Sequence, residues 1–463
     1  MLTDRLSRRE FLKVASAAAM GSMLAACVPP ATPAPVPEKP AAAPTPAPAQ
    51  PLTVNFWTFW GGFEEMHDEW KATEPYKKFI DGNNLVLNLT SNVGLEAFLA
   101  NIAAGTPPDV GVIWIYLDLM ARGVVIPIDD LVAASSLKPE EFIEGNWKFG
   151  SYKGKQYGVP ALEAFVRRGL NYNARMVAEA GLDPDNPPAT WTEALEWHRK
   201  LTKFDQAGNL LQIGLDPYDA EGMVWSGDGF LISESWGFDW FDENTGKFNV
   251  DNEKMAEGLE VLGEFVRIIG PDNLDGMRAV EGQGTWGGAY NAEVQAMIIE
   301  GYWHPGETAI EKPEVSKVNR ATWVPVPESR RGVKFQFAGG HLLLFFKDAP
   351  HPREAFPVAE FLNTQEACEI IFRRNGWLPA WKPYLETVDP SIYPGLEFYF
   401  NSVKEANEWW HAEPCELSAD FLQTKFAEIR EAVYRNEMTG AEGAAKLQKL
   451  LEEEYKAAGF ASS

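Results

Sequence analysis

Cysteine, histidine and basic residues are scarce in this 463-residue chain, and each scarcity removes a class of function. There are three cysteines and no C-x-x-C spacing. The six histidines, His67, His198, His304, His341, His351 and His411, never fall four apart or in H-E-x-x-H order. Neither a thiol redox motif nor a transition-metal site is indicated, and no cofactor is expected. Lys and Arg total 41 against 66 Asp and Glu, a formal charge of −25. Such a surface does not suit nucleic acid, whose phosphates need clustered cations, or electrostatic attachment to anionic lipid. A G-x-S-x-G elbow, a P-loop, and a G-x-G-x-x-G following a strand are also missing.

The N-terminus carries what the rest lacks. Arg5, Arg8, Arg9 and Lys13 form a basic region, followed by an apolar, small-residue segment from Val14 to Ala26. That segment is shorter than the roughly 20 apolar residues of a membrane span and has the length of a signal peptide. Ser7-Arg8-Arg9-Glu10-Phe11-Leu12-Lys13 resembles a twin-arginine export signal, and Leu24-Ala25-Ala26-Cys27 resembles a bacterial lipobox. The resemblance implies that residues 1–26 are removed and that Cys27 carries lipid as the first residue of a mature protein of charge −27, since the leader holds four basic and two acidic side chains. Residues 27–51 follow as a linker, and Val28 to Pro51 holds ten of the chain's 33 prolines. This composition has too little apolar surface for a core and reads as a semi-rigid polyproline II spacer.

The body beyond it is globular in composition, 45% hydrophobic and 12% aromatic, with 17 tryptophans. Its length, about 410 residues, exceeds what one core usually serves, so two lobes are expected. Strand and helix patterns alternate. Leu52–Phe59, Leu85–Leu89 and Val110–Ile115 read as strands, Phe63–Ile80 and Leu95–Ala104 as helices, the latter stopped by Gly105, Pro107 and Pro108. Thr190-Trp191-Thr192-Glu193 is a capping box, and Met255, Leu259, Leu262, Val266 and Ile269 recur at helical spacing before Gly270-Pro271. The alternation predicts an α/β fold with largely parallel sheets. Cys368 and Cys415 are expected as two buried thiols rather than a disulfide, because twin-arginine export moves chains folded in a reducing cytoplasm.

Ile102-Ala103-Ala104-Gly105-Thr106-Pro107-Pro108-Asp109-Val110, followed by Gly123-Val124-Val125-Ile126-Pro127-Ile128-Asp129-Asp130-Leu131, resembles the signature of family 1 extracellular solute-binding proteins, the carbohydrate receptors of ABC importers. Lys153-Gly154-Lys155-Gln156-Tyr157-Gly158-Val159-Pro160, Gly301-Tyr302-Trp303 and Asn375-Gly376-Trp377-Leu378-Pro379 extend the likeness in order along the chain. It implies a periplasmic-binding-protein-like fold of type II, in which two α/β lobes close on a ligand about a hinge of three crossings. The crossings are expected near Leu162–Val166, Ala321–Val326 and Leu378–Trp381. Residues 52–162 with 325–378 would form the first lobe, and 166–321 with 382–460 the second. The implied ligand is a mono- or oligosaccharide, the implied partner an ABC permease, and the implied state a lipid-anchored monomer on the extracytoplasmic face.

A sugar ring offers an apolar C–H face and a rim of hydroxyls, which flat aromatics and paired polar groups recognise. Trp57 and Trp60 flank the end of the first strand beside Gly61-Gly62, and Trp114 and Tyr116 follow the strand after Asp109. The carboxyl ends of strands are where open α/β sheets bind ligands. Trp303 holds the family's Gly-x-Trp position. Trp225, Trp286, Tyr290 and Trp377 are further aromatic candidates, Glu163 and Asp118 are candidate rim acceptors, and Gly340, within Gly339-Gly340-His341, is a candidate backbone contact. Each tryptophan has packing as its competing explanation. A polyamine or peptide receptor and a secreted glycoside hydrolase stand as alternatives, the hydrolase needing two carboxylates about 5–9.5 Å apart.

Overall fold

The computed structural model describes residues 50–220, 228–281, 288–410 and 415–460. The leader, Cys27 and nearly all of the linker lie outside them. Twelve strands matter for the architecture: β1 (Leu52–Thr58), β2 (Leu85–Thr90), β3 (Val110–Val112), β4 (Gly158–Pro160), β5 (Gly169–Asn173), β6 (Lys203–Phe204), β7 (Leu210–Ala220), β8 (Gln295–Glu300), β9 (Asn319–Thr322), β10 (Phe335–Phe337), β11 (Leu342–Phe345) and β12 (Glu408–Trp410). They build two five-stranded sheets, ordered β2-β1-β3-β11-β4 and β9-β5-β8-β7-β6, and a small β10-β12 pair.

The sheets are mixed rather than largely parallel. β1 pairs in parallel with β2 and β3, and β8 with β7. β11 runs antiparallel to β3 and β4, and β5 antiparallel to both β8 and β9. The reversed strands adjoin the passages between the sheets, and a chain arriving from the other sheet enters from the opposite end. A helical pattern of 18 residues also divides. The helix Phe63–Lys71 ends before Thr73, whose side chain caps a second helix, Glu74–Phe79, with Pro75 in its first turn. Thr190 and Glu193 form the capping box of the helix Trp191–Leu201, and the long helix Glu253–Ile269 ends at Gly270.

Each sheet carries its own core. Val54, Phe56, Val110 and Leu343 belong to one cluster, and Leu170, Ile213, Leu215 and Met297 to another. Cys368 is buried in the first and Cys415 in the second, so the two thiols form no disulfide with each other.

Three passages join the sheets, and the first is hydrogen-bonded to each of the other two. Ala164 N–H donates to Leu378 O at 3.0 Å, and Arg167 N–H to Phe337 O at 3.1 Å. Val166 and Ala338 form an antiparallel bridge. The Gln336 side chain accepts from Arg168 N–H at 2.7 Å and donates to Arg168 O at 3.0 Å. Asn146, on the first lobe, donates to Ala164 O and Gly339 O. The Arg168 side chain pairs with Glu234, both almost wholly buried. The second passage lies later than 321–326. Val324 and Val326 pack in the second core, and Trp191 N–H donates to Val326 O, so the chain leaves that core only through β10 and the residues before β11.

Candidate functional site

β1 delivers Trp60 to the carboxyl end of the first sheet. The strand stops at Thr58, and Gly62 takes a left-handed φ of 79°, which lets the chain turn at once into the helix Phe63–Lys71. The Trp60 ring stacks on Phe63 at 5.9 Å and 5°, and meets Trp377 at 4.7 Å and the edge of His341 at 4.4 Å. Phe59 lies beside them, 4.2 Å from Trp60, 4.9 Å from Trp114 and 5.2 Å from His341.

Trp303 comes from the other sheet. It opens the helix Trp303–Glu311 directly after β8 and Gly301-Tyr302. A Cβ at Gly301 would sit 2.0 Å from the Trp303 ring, so the Gly-x-Trp spacing has a steric cause. The indole N–H donates to Glu300 Oε2 at 2.6 Å, and the Arg167 guanidinium lies 5.0 Å from the ring centroid, within cation–π range. Trp377 follows Gly376, the left-handed cap of the helix Gln365–Asn375. A Cβ on Gly306 would meet Gly376 Cα at 2.6 Å, so the helix that begins with Trp303 packs backbone to backbone against the turn that carries Trp377.

A polar chain links these rings. Glu163 pairs with Arg167, and its Oε2 lies 3.2 Å from His341 Nε2. His341 Nδ1 is 2.6 Å from Tyr116 Oη. Burial, with Arg167 nearby, holds the imidazole well below its ordinary pKa, so it is neutral. A neutral ring donates from one nitrogen only, and the Glu163 carboxylate can only accept. The proton therefore sits on Nε2, and Tyr116 O–H donates to Nδ1. Glu307 accepts from Trp377 Nε1 at 2.7 Å; burial, helped by the charges of Glu311 and Glu163 and opposed by the indole bond, pushes its carboxyl up to about 8.

The structure thus brings Trp60, Trp303, Trp377, Tyr116, Glu163 and, through Phe59, Trp114 into one contact network. Trp57 points elsewhere, edge-on to Phe98 at 5.4 Å. Gly340 lies against the first passage: its φ is +155°, and a Cβ there would be 2.4 Å from Ala164 Cα. Asp118 is paired with Arg122, and Tyr290 is fully buried, donating to Asn319 Oδ1 at 2.6 Å. Trp225 and Trp286 lie outside the described residues. Arg167, Glu300, Glu307 and the His341 side chain escaped sequence reasoning. Only Glu300, three residues before Trp303, had a local signal. Among the described residues, no group of three or more His, Cys, Asp or Glu is placed to hold a metal.

The sequence profile of the bacterial extracellular solute-binding protein family matches residues 64–367. The chain belongs to this family. Membership places the body outside the cytoplasm, and among the described residues no helix is long and apolar enough to cross a membrane. No curated protein matches the chain. Solved structures share the two-lobe fold of the maltose-binding type. The mannobiose-bound protein CpMnBP1 is 20% identical with a TM-score of 0.72, covering 86% of this chain and 99% of that one. A solute-binding protein from Thermotoga lettingae with bound α-D-tagatose is 18% identical with a TM-score of 0.69, covering 86% and 100%. The sugar-binding protein MalE from Xanthomonas citri is 17% identical with a TM-score of 0.66, covering 88% and 98%.

Proposed function

We propose that this solute-binding protein captures a mono- or oligosaccharide between its lobes and delivers it to an ABC permease, without catalysing a reaction. The observation that carries the reading is the contact of Trp60 with Trp377 and the polar chain of His341, Glu163 and Arg167 that links that pair to Trp303, with Glu300 and Glu307 holding two of the rings. Aromatic faces suit the C–H face of a sugar, and polar groups among them suit its hydroxyls. The sugars bound by the solved neighbours agree with this. Trp114, Tyr116, Glu163, Gly340, Trp225 and Trp286 remain proposed contacts or supports of the same site, whereas Trp57, packed on Phe98, is set aside. The lobes are proposed to swing about the three passages, with residues 52–162 and, of 325–378, the part from β11 onward in the first lobe, and 166–321 with 382–460 in the second. Twin-arginine export and a lipid on Cys27 would keep a monomeric receptor within a linker's reach of its permease. Isothermal titration against a panel of mono- and oligosaccharides tests the reading. Saturable heat with one sugar class is expected; silence across the panel, with a response to spermidine, would overturn it.

A further inference from the structure

Glu416 lies apart from the aromatic site and joins the two lobes. Its Oε1 accepts from Tyr152 Oη at 3.2 Å, and its Oε2 from Tyr455 Oη at 2.8 Å. Tyr152 belongs to the hairpin of Ser151–Tyr152 with Lys155–Gln156 and packs on the first-sheet side, against the cluster of Ile113, Tyr116 and Leu342. Tyr455, on the helix Gly440–Ala457, is part of the second core, as are Cys415 and Leu417 on either side of Glu416. One carboxylate therefore takes a hydroxyl from each lobe. A second contact accompanies it: the Arg122 guanidinium lies 5.3 Å from the centroid of Phe460, whose ring is 5.6 Å from Tyr455. None of these residues belongs to the three passages, so this is a connection separate from the hinge.

We propose that Glu416 is a positioning residue for ligand capture, a latch that holds the lobes together through Tyr152 before any solute is bound. The proposal rests on the reading of the lobes as hinged. Hydrogen bonds to a carboxylate are stronger than those between neutral groups, and each one present only in the closed arrangement shifts the population towards it. When only that arrangement binds, apparent affinity scales with its population. Tyr455 and Glu416 both belong to the second lobe, so their bond orients the carboxylate, whereas the Tyr152 bond alone spans the lobes.

The test places one spin label on each lobe of the folded protein and measures the distance distribution without sugar. Tyr152→Phe and Glu416→Ala are expected to extend it to longer distances, and Tyr455→Phe to change it less. Tyr152→Phe removes a single oxygen from a half-buried ring, so a folded variant is assured of comparison if Glu416→Ala proves unstable. Distributions of Tyr152→Phe that superimpose on wild type, or a wild type already open without sugar, would overturn the latch. This readout needs no ligand, so it stands or falls independently of the sugar assignment. Where titration has identified a sugar, its dissociation from Tyr152→Phe is expected to be about tenfold faster.

Discussion

The Trp377 indole N–H lies 2.7 Å from Glu307 Oε1, which tethers one ring of the site to a buried carboxyl on the helix that begins with Trp303. Two of the three central tryptophans are held in this way, Trp303 by Glu300 and Trp377 by Glu307. Their rings are fixed before a ligand arrives, which lowers the cost of ordering them on binding.

Glu307 should make stability depend on pH. Its folded pKa is raised to about 8 from an ordinary 4.5, chiefly by burial. Below pH 4.5 both folded and unfolded states are protonated there. Between 4.5 and 8 only the unfolded state ionises, so stability falls as pH rises, by about 1.4 kcal/mol per pH unit for one such group. Glu307→Gln keeps an acceptor for the indole and removes this titration. Urea unfolding at pH 5.5 and 7.5 should show a shallower loss in the variant than in wild type.

Trp303→Ala should weaken sugar binding by about 1 kcal/mol or more, roughly fivefold in Kd, if its ring contacts the ligand. It also removes the surface on which Arg167 rests. The check is titration of the variant with whichever sugar binds wild type, together with thermal unfolding to separate lost contact from lost fold. An unchanged Kd would remove this ring from the site.

Gly340→Ala should destabilise the protein. The new Cβ would sit 2.4 Å from Ala164 Cα, both residues lying on passages that hydrogen bonds hold together, and φ of +155° strains any side chain. Such overpacking costs about 1–3 kcal/mol. Thermal unfolding should show a lower Tm, whereas a purely ligand-facing glycine would leave Tm unchanged and alter only affinity.

If Cys27 carries the proposed lipid, Cys27→Ser should release the protein from membranes. Burial of acyl chains contributes about 0.8 kcal/mol per CH₂, and the acidic body offers no electrostatic substitute. Fractionation after a high-salt wash checks this. A serine variant still in the membrane pellet would overturn lipidation at Cys27.

Local elements were readable because their signals are local. Thr190 and Glu193 lie three residues apart and form the expected box, and Leu95–Ala104 ends at Gly105 as its glycine and prolines require. The break at Thr73 was legible in principle from Thr73 and Pro75, but the continuous apolar pattern masked it. The site is another matter. His341 meets Glu163, and Trp60 meets Trp377, across long separations in the chain, and no spacing rule reaches that far. Trp57 and Trp60 look equivalent as letters. Yet Trp57 lies on the strand face of Phe98, and Trp60 lies beyond the strand end, where Gly61-Gly62 turns the chain. The pairing of Arg167 with Trp303 likewise depends on how the first passage lies against the second sheet.

The hydrogen bonds among the passages restrict how the molecule can move. Ala164, Val166, Arg167 and Arg168 are held on one side by Leu378 and on the other by Gln336, Phe337 and Ala338. A ribbon bonded in this way can flex out of its plane but resists sliding within it, which would break the bonds together. On the proposed hinge, the lobes would then share a single axis of rotation and approach each other along one arc. Trp60 and Trp303 would reach the same mutual orientation on every cycle, and a solute of the wrong length would stop that arc short rather than deflect it. Selection by size would thus come from the mechanics of the backbone, ahead of any hydroxyl being recognised.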